Sequence, residues 1–108
     1  MALDSLSELD LQGALRLVSE KKAKLVWLGS EPVEYICGLL GVESSYMIGL
    51  DPNDVLALGS ADAKSMAGNV FLCYHGITSG FVVEYLQREY GLEVYHLKGG
   101  ISSVIGEL

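Results

Sequence analysis

The sequence predicts an α/β protein: a parallel sheet of four to five strands with helices on both faces. Three observations predict it. Short apolar runs recur at residues 23–28, 45–50 and 92–97 and in the stretch that begins at Asn69, and continuous runs of this length suit strands buried on both sides. The segments between them place apolar residues at helical spacing, as in Val82, Val83, Leu86 and Tyr90. The chain has 108 residues, half of them hydrophobic, which gives room for one domain over residues 1–108 with one modest core.

Taken in order, residues 4–9 suggest a short edge strand, and Ser7-Glu8-Leu9-Asp10 resembles a capping box. Leu11, Ala14, Leu15 and Val18 then form one apolar helical stripe. Lys21, Lys22 and Lys24 stand near its C-terminal end, where positive charge suits the helix dipole; they read as a solvated helix end. Residues 23–28 form the second strand. Gly29-Ser30-Glu31-Pro32 ends it and opens a short helix, with Pro32 suited to the first helical position. Cys37 falls near the end of that helix, before Gly38, and reads as a small buried apolar residue. A resolving thiol is the alternative for it. Residues 45–50 form the third strand. Asp51-Pro52-Asn53-Asp54 is a turn and helix start, followed by short helices at residues 55–58 and 61–66. After the central strand a longer helix carries Glu84 and Arg88 as an i, i+4 pair and ends at Gly91. Residues 92–97 form the last strand, and Lys98-Gly99-Gly100 turns the chain into a short final segment.

The formal net charge of −7 sets the overall field against nucleic acid and anionic membranes, so neither is expected as a partner. No apolar stretch reaches membrane-spanning length, and Met1-Ala2-Leu3-Asp4 lacks the start of a signal peptide. A cytoplasmic protein is expected. Two cysteines, Cys37 and Cys73, make no disulfide framework. With only His75 and His96 beside them and no ligand spacing, no metal site is expected.

The chemistry concentrates between Asn69 and Gly80. An apolar strand run ends at Cys73, a tight loop with Gly76 follows, and a helix pattern begins at Thr78 and Ser79, both able to cap. Gly76 permits a turn that gathers several backbone N–H groups. A thiol there faces the positive end of the helix dipole, a setting that favours thiolate. The same groups could hold a persulfide anion or a bound oxyanion, with the hydroxyls of Thr78 and Ser79 as further donors. In parallel sheets ligands bind beyond the carboxyl ends of the strands, where Cys73 lies.

Cys73, Gly76 and Thr78, with Ser79 after them, resemble the active loop of the rhodanese-like sulfurtransferases, Cys-x-x-Gly-x-(Arg, Thr or Ser) between a strand and a helix. Tyr95-His96-Leu97-Lys98-Gly99-Gly100-Ile101 is similar to that family's strand and Gly-Gly turn, and Pro32-Val33-Glu34-Tyr35 to a weaker signature of its front half. The chain departs from the pattern elsewhere. Leu28 and Ser30 stand where many relatives carry Asp and Arg. Leu39-Leu40-Gly41-Val42 replaces the usual His-Ile-Pro-Gly, and Val104 is the nearest equivalent of the aromatic residue that commonly follows the Gly-Gly turn.

The resemblance implies a rhodanese-like sheet and a sulfurtransferase or persulfide carrier with Cys73 as nucleophile. Tyr74, His75, Gly76, Ile77, Thr78 and Ser79 would form the substrate and persulfide loop. The donor would be a small sulfur-containing anion such as thiosulfate. The acceptor would be cyanide, a thiol or a protein thiol, with no cofactor. The loop lacks Arg and Lys, leaving His75 as the only substitute for the basic residue found in relatives that favour thiosulfate. His96, on a strand, reads as structural. No Asp, His or Lys is clearly placed as a base, so the loop amides are expected to supply the electrostatic stabilisation. Two other classes fit less well: a non-catalytic module that binds a protein, and a cysteine phosphatase or arsenate reductase, which would need a longer loop ending in Arg.

Overall fold

Each strand of the sheet alternates its side chains between two apolar layers, which is why every strand run is hydrophobic almost without a break. In a computed structural model, which describes residues 7–21 and 23–106, the strands are β1 (Glu8–Leu9), β2 (Leu25–Trp27), β3 (Met47–Gly49), β4 (Val70–Leu72) and β5 (Tyr95–Leu97). The helices are α1 (Leu11–Lys21), α2 (Val33–Leu40), α3 (Pro52–Leu56), α4 (Ser60–Lys64), α5 (Ile77–Tyr90) and α6 (Gly100–Ile105). The five strands run parallel in the order β1-β5-β4-β2-β3. Helices cover both faces, as expected, and the architecture is consistent with a rhodanese-like sheet.

Leu25, Trp27, Val70, Leu72 and Leu97 point to one layer, where Ala14 and Val18 of α1, Ile36 of α2 and Ile101 of α6 meet them. Val26, Phe71 and Val94 point to the other, against Val55 of α3, Ala63 of α4 and Val82, Val83 and Leu86 of α5. His96 sits in register between Glu8 of β1 and Phe71 of β4. It is thus a polar residue with a carboxylate on one neighbouring strand and packed hydrocarbon on the other.

Several local expectations need correction. Ser7 does not cap α1. Glu8 and Leu9 are drawn into the sheet by pairing with β5, so the helix begins at Leu11. Asp10 caps it, its Oδ1 accepting the Gly13 N–H at 2.7 Å. Of the predicted edge strand, residues 4–6 lie outside the described residues, as does Lys22 of the lysine cluster. Pro32 precedes α2 in extended backbone (φ −60°, ψ 143°) instead of opening it. That helix passes through Gly38 and ends at Gly41, whose φ of +71° makes the left-handed cap. Asp51 caps α3 by accepting the Asn53 N–H at 2.8 Å. Strands β2 to β5 are three residues long where longer runs were expected, and the ladders hold two or three residue pairs each.

Successive connections leave β2 and β4 in opposite directions, to β3 through α2 and to β5 through α5. The switch in direction lies at the carboxyl ends of these two strands, the usual ligand position in open α/β sheets. Cys73 is the first residue after β4.

Candidate active site

The loop from Cys73 to Gly76 carries the chain from β4 into α5, and the cysteine sulfur organises it. The N–H of Gly76 donates to Cys73 Sγ at 3.1 Å and that of Ser79 at 3.3 Å. Gly76 is the N-cap residue of α5, in left-handed backbone with φ +86°, and no side chain caps the helix. The sulfur therefore does the work of a capping oxygen, accepting from the cap residue and from the third residue of the helix. This corrects the expectation that Thr78 or Ser79 caps: both lie inside the first turn. Sulfur can fill this place because the loop is short enough to fold its own cysteine beneath the helix start. The arrangement aims two backbone dipoles and the positive end of a 14-residue helix at one atom. All three favour negative charge on the sulfur.

The Gly-Gly turn explains why the loop holds this shape. The N–H of Ile101 donates to the carbonyl of Cys73 and that of Ser102 to the carbonyl of Tyr74, each at 3.0 Å. A Cβ on Gly100 (φ +69°) would lie 2.6 Å from the Cys73 carbonyl oxygen. A Cβ on Gly76 would come within 3.1 Å of the backbone nitrogens of Gly99 and Gly100. Loop and turn are two backbones in contact, with no room for side chains between them. The two motifs that carried the family resemblance thus form one structure.

The predicted loop residues fall into distinct positions. Cys73 is 5% exposed, so almost none of it meets solvent directly. Gly76 and Ser79 bond the sulfur directly. Tyr74 is half-buried against the α6 layer, its ring 5.2 Å from that of His75. Ile77, 80% exposed, and Thr78 lie at the rim. Phe81, one turn after Ile77 on α5, is 59% exposed and adds a second apolar side chain to that surface. His75 is exposed, with Nδ1 3.1 Å from Ser102 Oγ. The Ser102 hydroxyl donates to the Gly99 carbonyl, so the neutral imidazole donates from Nδ1 and leaves Nε2 as an acceptor. Only the imidazolium form of His75 could offer an N–H to an anion.

Sequence reasoning missed one group near the sulfur. Ser79 Oγ lies 3.3 Å from Cys73 Sγ, which donates to it, and 3.1 Å from Nδ1 of His96. His96 is buried, and its Nε2 lies 3.4 Å from Oε2 of Glu8. Burial lowers the imidazole pKa, and the Glu8 carboxylate opposes that shift. The expectation of no base near the cysteine therefore gives way to an imidazole one hydroxyl removed. Its only sequence signal was a histidine inside an apolar strand run.

Cys37 belongs elsewhere. Its Sγ packs on Met47 Sδ at 3.7 Å, and it is buried in the α2 layer. Met47 pairs in register with Leu25, and Leu25 with Val70. Two strand spacings and three residues of rise separate that point from Cys73, roughly 14 Å, which is beyond disulfide reach. Burial, with Glu34 nearby, pushes the Cys37 thiol pKa up. The small-apolar-residue reading describes it, and the resolving-thiol alternative does not.

Among the described residues no three His, Cys, Asp or Glu side chains gather as a metal-binding group, and no helix is long and apolar enough to cross a membrane. No family model matches the chain.

Proposed function

We propose that this protein is a sulfurtransferase or persulfide carrier of the cytoplasm that works through Cys73. One observation carries the reading: two backbone N–H groups and a helix N-terminus converge on a single cysteine sulfur beyond the carboxyl end of β4. The thiolate attacks the outer sulfur of a donor such as thiosulfate. A bond forms between Sγ and that sulfur while the bond to the sulfonate sulfur breaks, and its electron pair leaves with sulfite. Cys73 then carries a persulfide anion. An acceptor such as cyanide, a small thiol or a protein thiol takes the terminal sulfur, and the thiolate returns. Every step is nucleophilic substitution at sulfur, so the chain's own residues suffice. The amides of Gly76 and Ser79 favour the anionic sulfur at both ends of the cycle.

The test is intact-mass measurement after incubation with thiosulfate or another sulfane donor. One added sulfur is expected on the wild type and none on Cys73→Ser. Failure of every sulfane donor to label the wild type would reject the reading.

A second reading is a non-catalytic module that binds a protein partner. It is favoured by the 5% exposure of Cys73 and by a loop without Arg or Lys. A Cys73 thiol inert to alkylation in the folded protein would select it. The phosphatase or arsenate reductase reading gains nothing from the site, since no loop Arg is present to grip a tetrahedral anion.

A further inference from the structure

We propose that Ser79, His96 and Glu8 form a proton relay that accepts the thiol proton of Cys73 and leads it through the sheet to the surface. The inference rests on the reading of Cys73 as the reacting nucleophile.

The relay crosses a layer that is otherwise hydrocarbon. His96 faces α5, where a Cβ on Gly80 would lie 3.3 Å from its Cε1. Beside it in register is the buried Phe71, which packs in one apolar cluster with Val82 and Val83 of α5. A polar ring in such a layer is costly unless its nitrogens are engaged. Three contacts run in sequence, two of them at the ring: Sγ to Ser79 Oγ at 3.3 Å, Oγ to His96 Nδ1 at 3.1 Å, and Nε2 in ion-pair range of Glu8 Oε2 at 3.4 Å.

The hydrogens can be placed consistently along this chain. The Cys73 thiol donates to Ser79 Oγ. Ser79 then has its own hydrogen for Nδ1, which must carry the lone pair, so the neutral ring holds its hydrogen on Nε2. That buried Nε2 makes no hydrogen bond of good geometry, and the nearby group is a carboxylate. Ionisation of the thiol breaks the S–H bond and passes that proton to Ser79 Oγ. The original Ser79 proton passes to Nδ1. The result is an imidazolium beside Glu8 and a thiolate that keeps the N–H groups of Gly76 and Ser79 and gains the Ser79 hydroxyl as a donor. Two hydrogens hop, so the net transfer is one proton from Sγ to the ring, and nothing is oxidised. The Nε2–H bond then breaks as its proton passes to Glu8 Oε2, leaving the neutral ring protonated on Nδ1; Glu8 is 31% exposed on its side chain, so water takes the proton from there.

Among the described residues the titratable group against His96 is Glu8 from β1, and Cys73 from the loop lies beyond Ser79. Gln87 of α5, which bonds Ser7 Oγ and the Val94 carbonyl, carries no charge. Ser79 touches the reacting sulfur. His96 and Glu8 act through it and are positioning residues.

The experiment is alkylation of Cys73 by iodoacetamide, followed by peptide mass across the range from about pH 6 to about pH 10. The wild type is compared with Ser79→Ala, His96→Gln and Glu8→Gln. Ser79→Ala and His96→Gln are expected to react about tenfold more slowly near pH 7, with the gap closing near about pH 10, where hydroxide removes the proton without the relay. Glu8→Gln should show a smaller gap of the same shape. A purely structural role would leave the ratio to wild type constant across pH, and that result in folded Ser79→Ala and Glu8→Gln would overturn the proposal. If His96→Gln fails to fold by circular dichroism, the other two variants decide. Alkylation consumes no sulfur donor, so a protein that forms no persulfide yet shows the pH-dependent gap retains the relay and loses only the sulfur-transfer reading.

Discussion

Ile101 donates its N–H to the carbonyl of Cys73 at 3.0 Å, so the residue after the Gly-Gly turn fixes the backbone of the loop cysteine. The contact leaves no space at Gly100, where a Cβ would overlap the Tyr74 and Cys73 carbonyls. Gly100→Ala is therefore expected to combine strain from a positive φ with a backbone clash. Together these should cost at least about 2 kcal/mol, lowering Tm by about 10 °C in a domain of this size. Gly68→Ala supplies the comparison: its φ is +84° but nothing lies within 4 Å of the added methyl, so only about 1 kcal/mol of strain applies. Thermal melts of the two variants check the order. Equal melting temperatures would mean that the turn does not buttress the loop.

Cys37→Ala is expected to separate packing from chemistry. The thiol contacts Met47 and is buried between α2 and the sheet. Its loss should cost about 1 kcal/mol in a denaturant titration. Persulfide formation at Cys73 should be unchanged. In the wild type, the raised pKa of Cys37 keeps it protonated at neutral pH, so Cys73 should be the cysteine that alkylates first. A loss of persulfide in Cys37→Ala would bring back the resolving thiol despite the distance.

What the sequence could and could not reveal follows from the range of each interaction. Apolar runs and helical spacing are local, and so the alternation of strands and helices, the central strand and the Gly91 cap were all legible. Asp51 capping was legible for the same reason. The sulfur cap on α5 depends on a three-dimensional turn within six residues and was only half legible: Gly76 marks the turn, but in the sequence the hydroxyls of Thr78 and Ser79 are the ordinary capping groups. The partners of His96 lie 17 residues away at Ser79 and most of the chain away at Glu8. Only the strand order, with β1 pairing β5 instead of its neighbours in sequence, brings them together. Composition and spacing carry no trace of that order.

His96 also predicts how stability varies with pH. Its folded pKa lies below the ordinary histidine value because burial opposes the charge, with Glu8 pulling the other way and Cys73 one hydroxyl removed beyond Ser79. The unfolded chain then binds more protons than the folded one once pH falls below about 6.5. The neutral imidazole's contribution is complete above that pH and declines as pH falls toward the folded pKa. Denaturant midpoints at about pH 7.5 and about pH 5.5 should therefore differ more for wild type than for a folded His96→Gln. The same slope in both proteins would assign the pH dependence to surface carboxylates.

Gly80→Ala sets helix propensity against the geometry of the relay. Gly80 lies inside α5, where alanine is favoured by about 1 kcal/mol. Its methyl, however, would press on the His96 ring at 3.3 Å from Cε1 and 3.8 Å from Nδ1. The ring must move by a few tenths of an ångström, and the 3.1 Å contact with Ser79 lengthens with it. Hydrogen bonds weaken steeply with such displacement. The expected outcome is a protein about as stable as wild type whose Cys73 alkylates several-fold more slowly near neutral pH, with every relay residue still present. Slow alkylation in a stable variant follows only if the position of His96 matters to the sulfur. A variant that alkylates like wild type near neutral pH would show that the imidazole fills space beside Ser79 and does not assist Cys73.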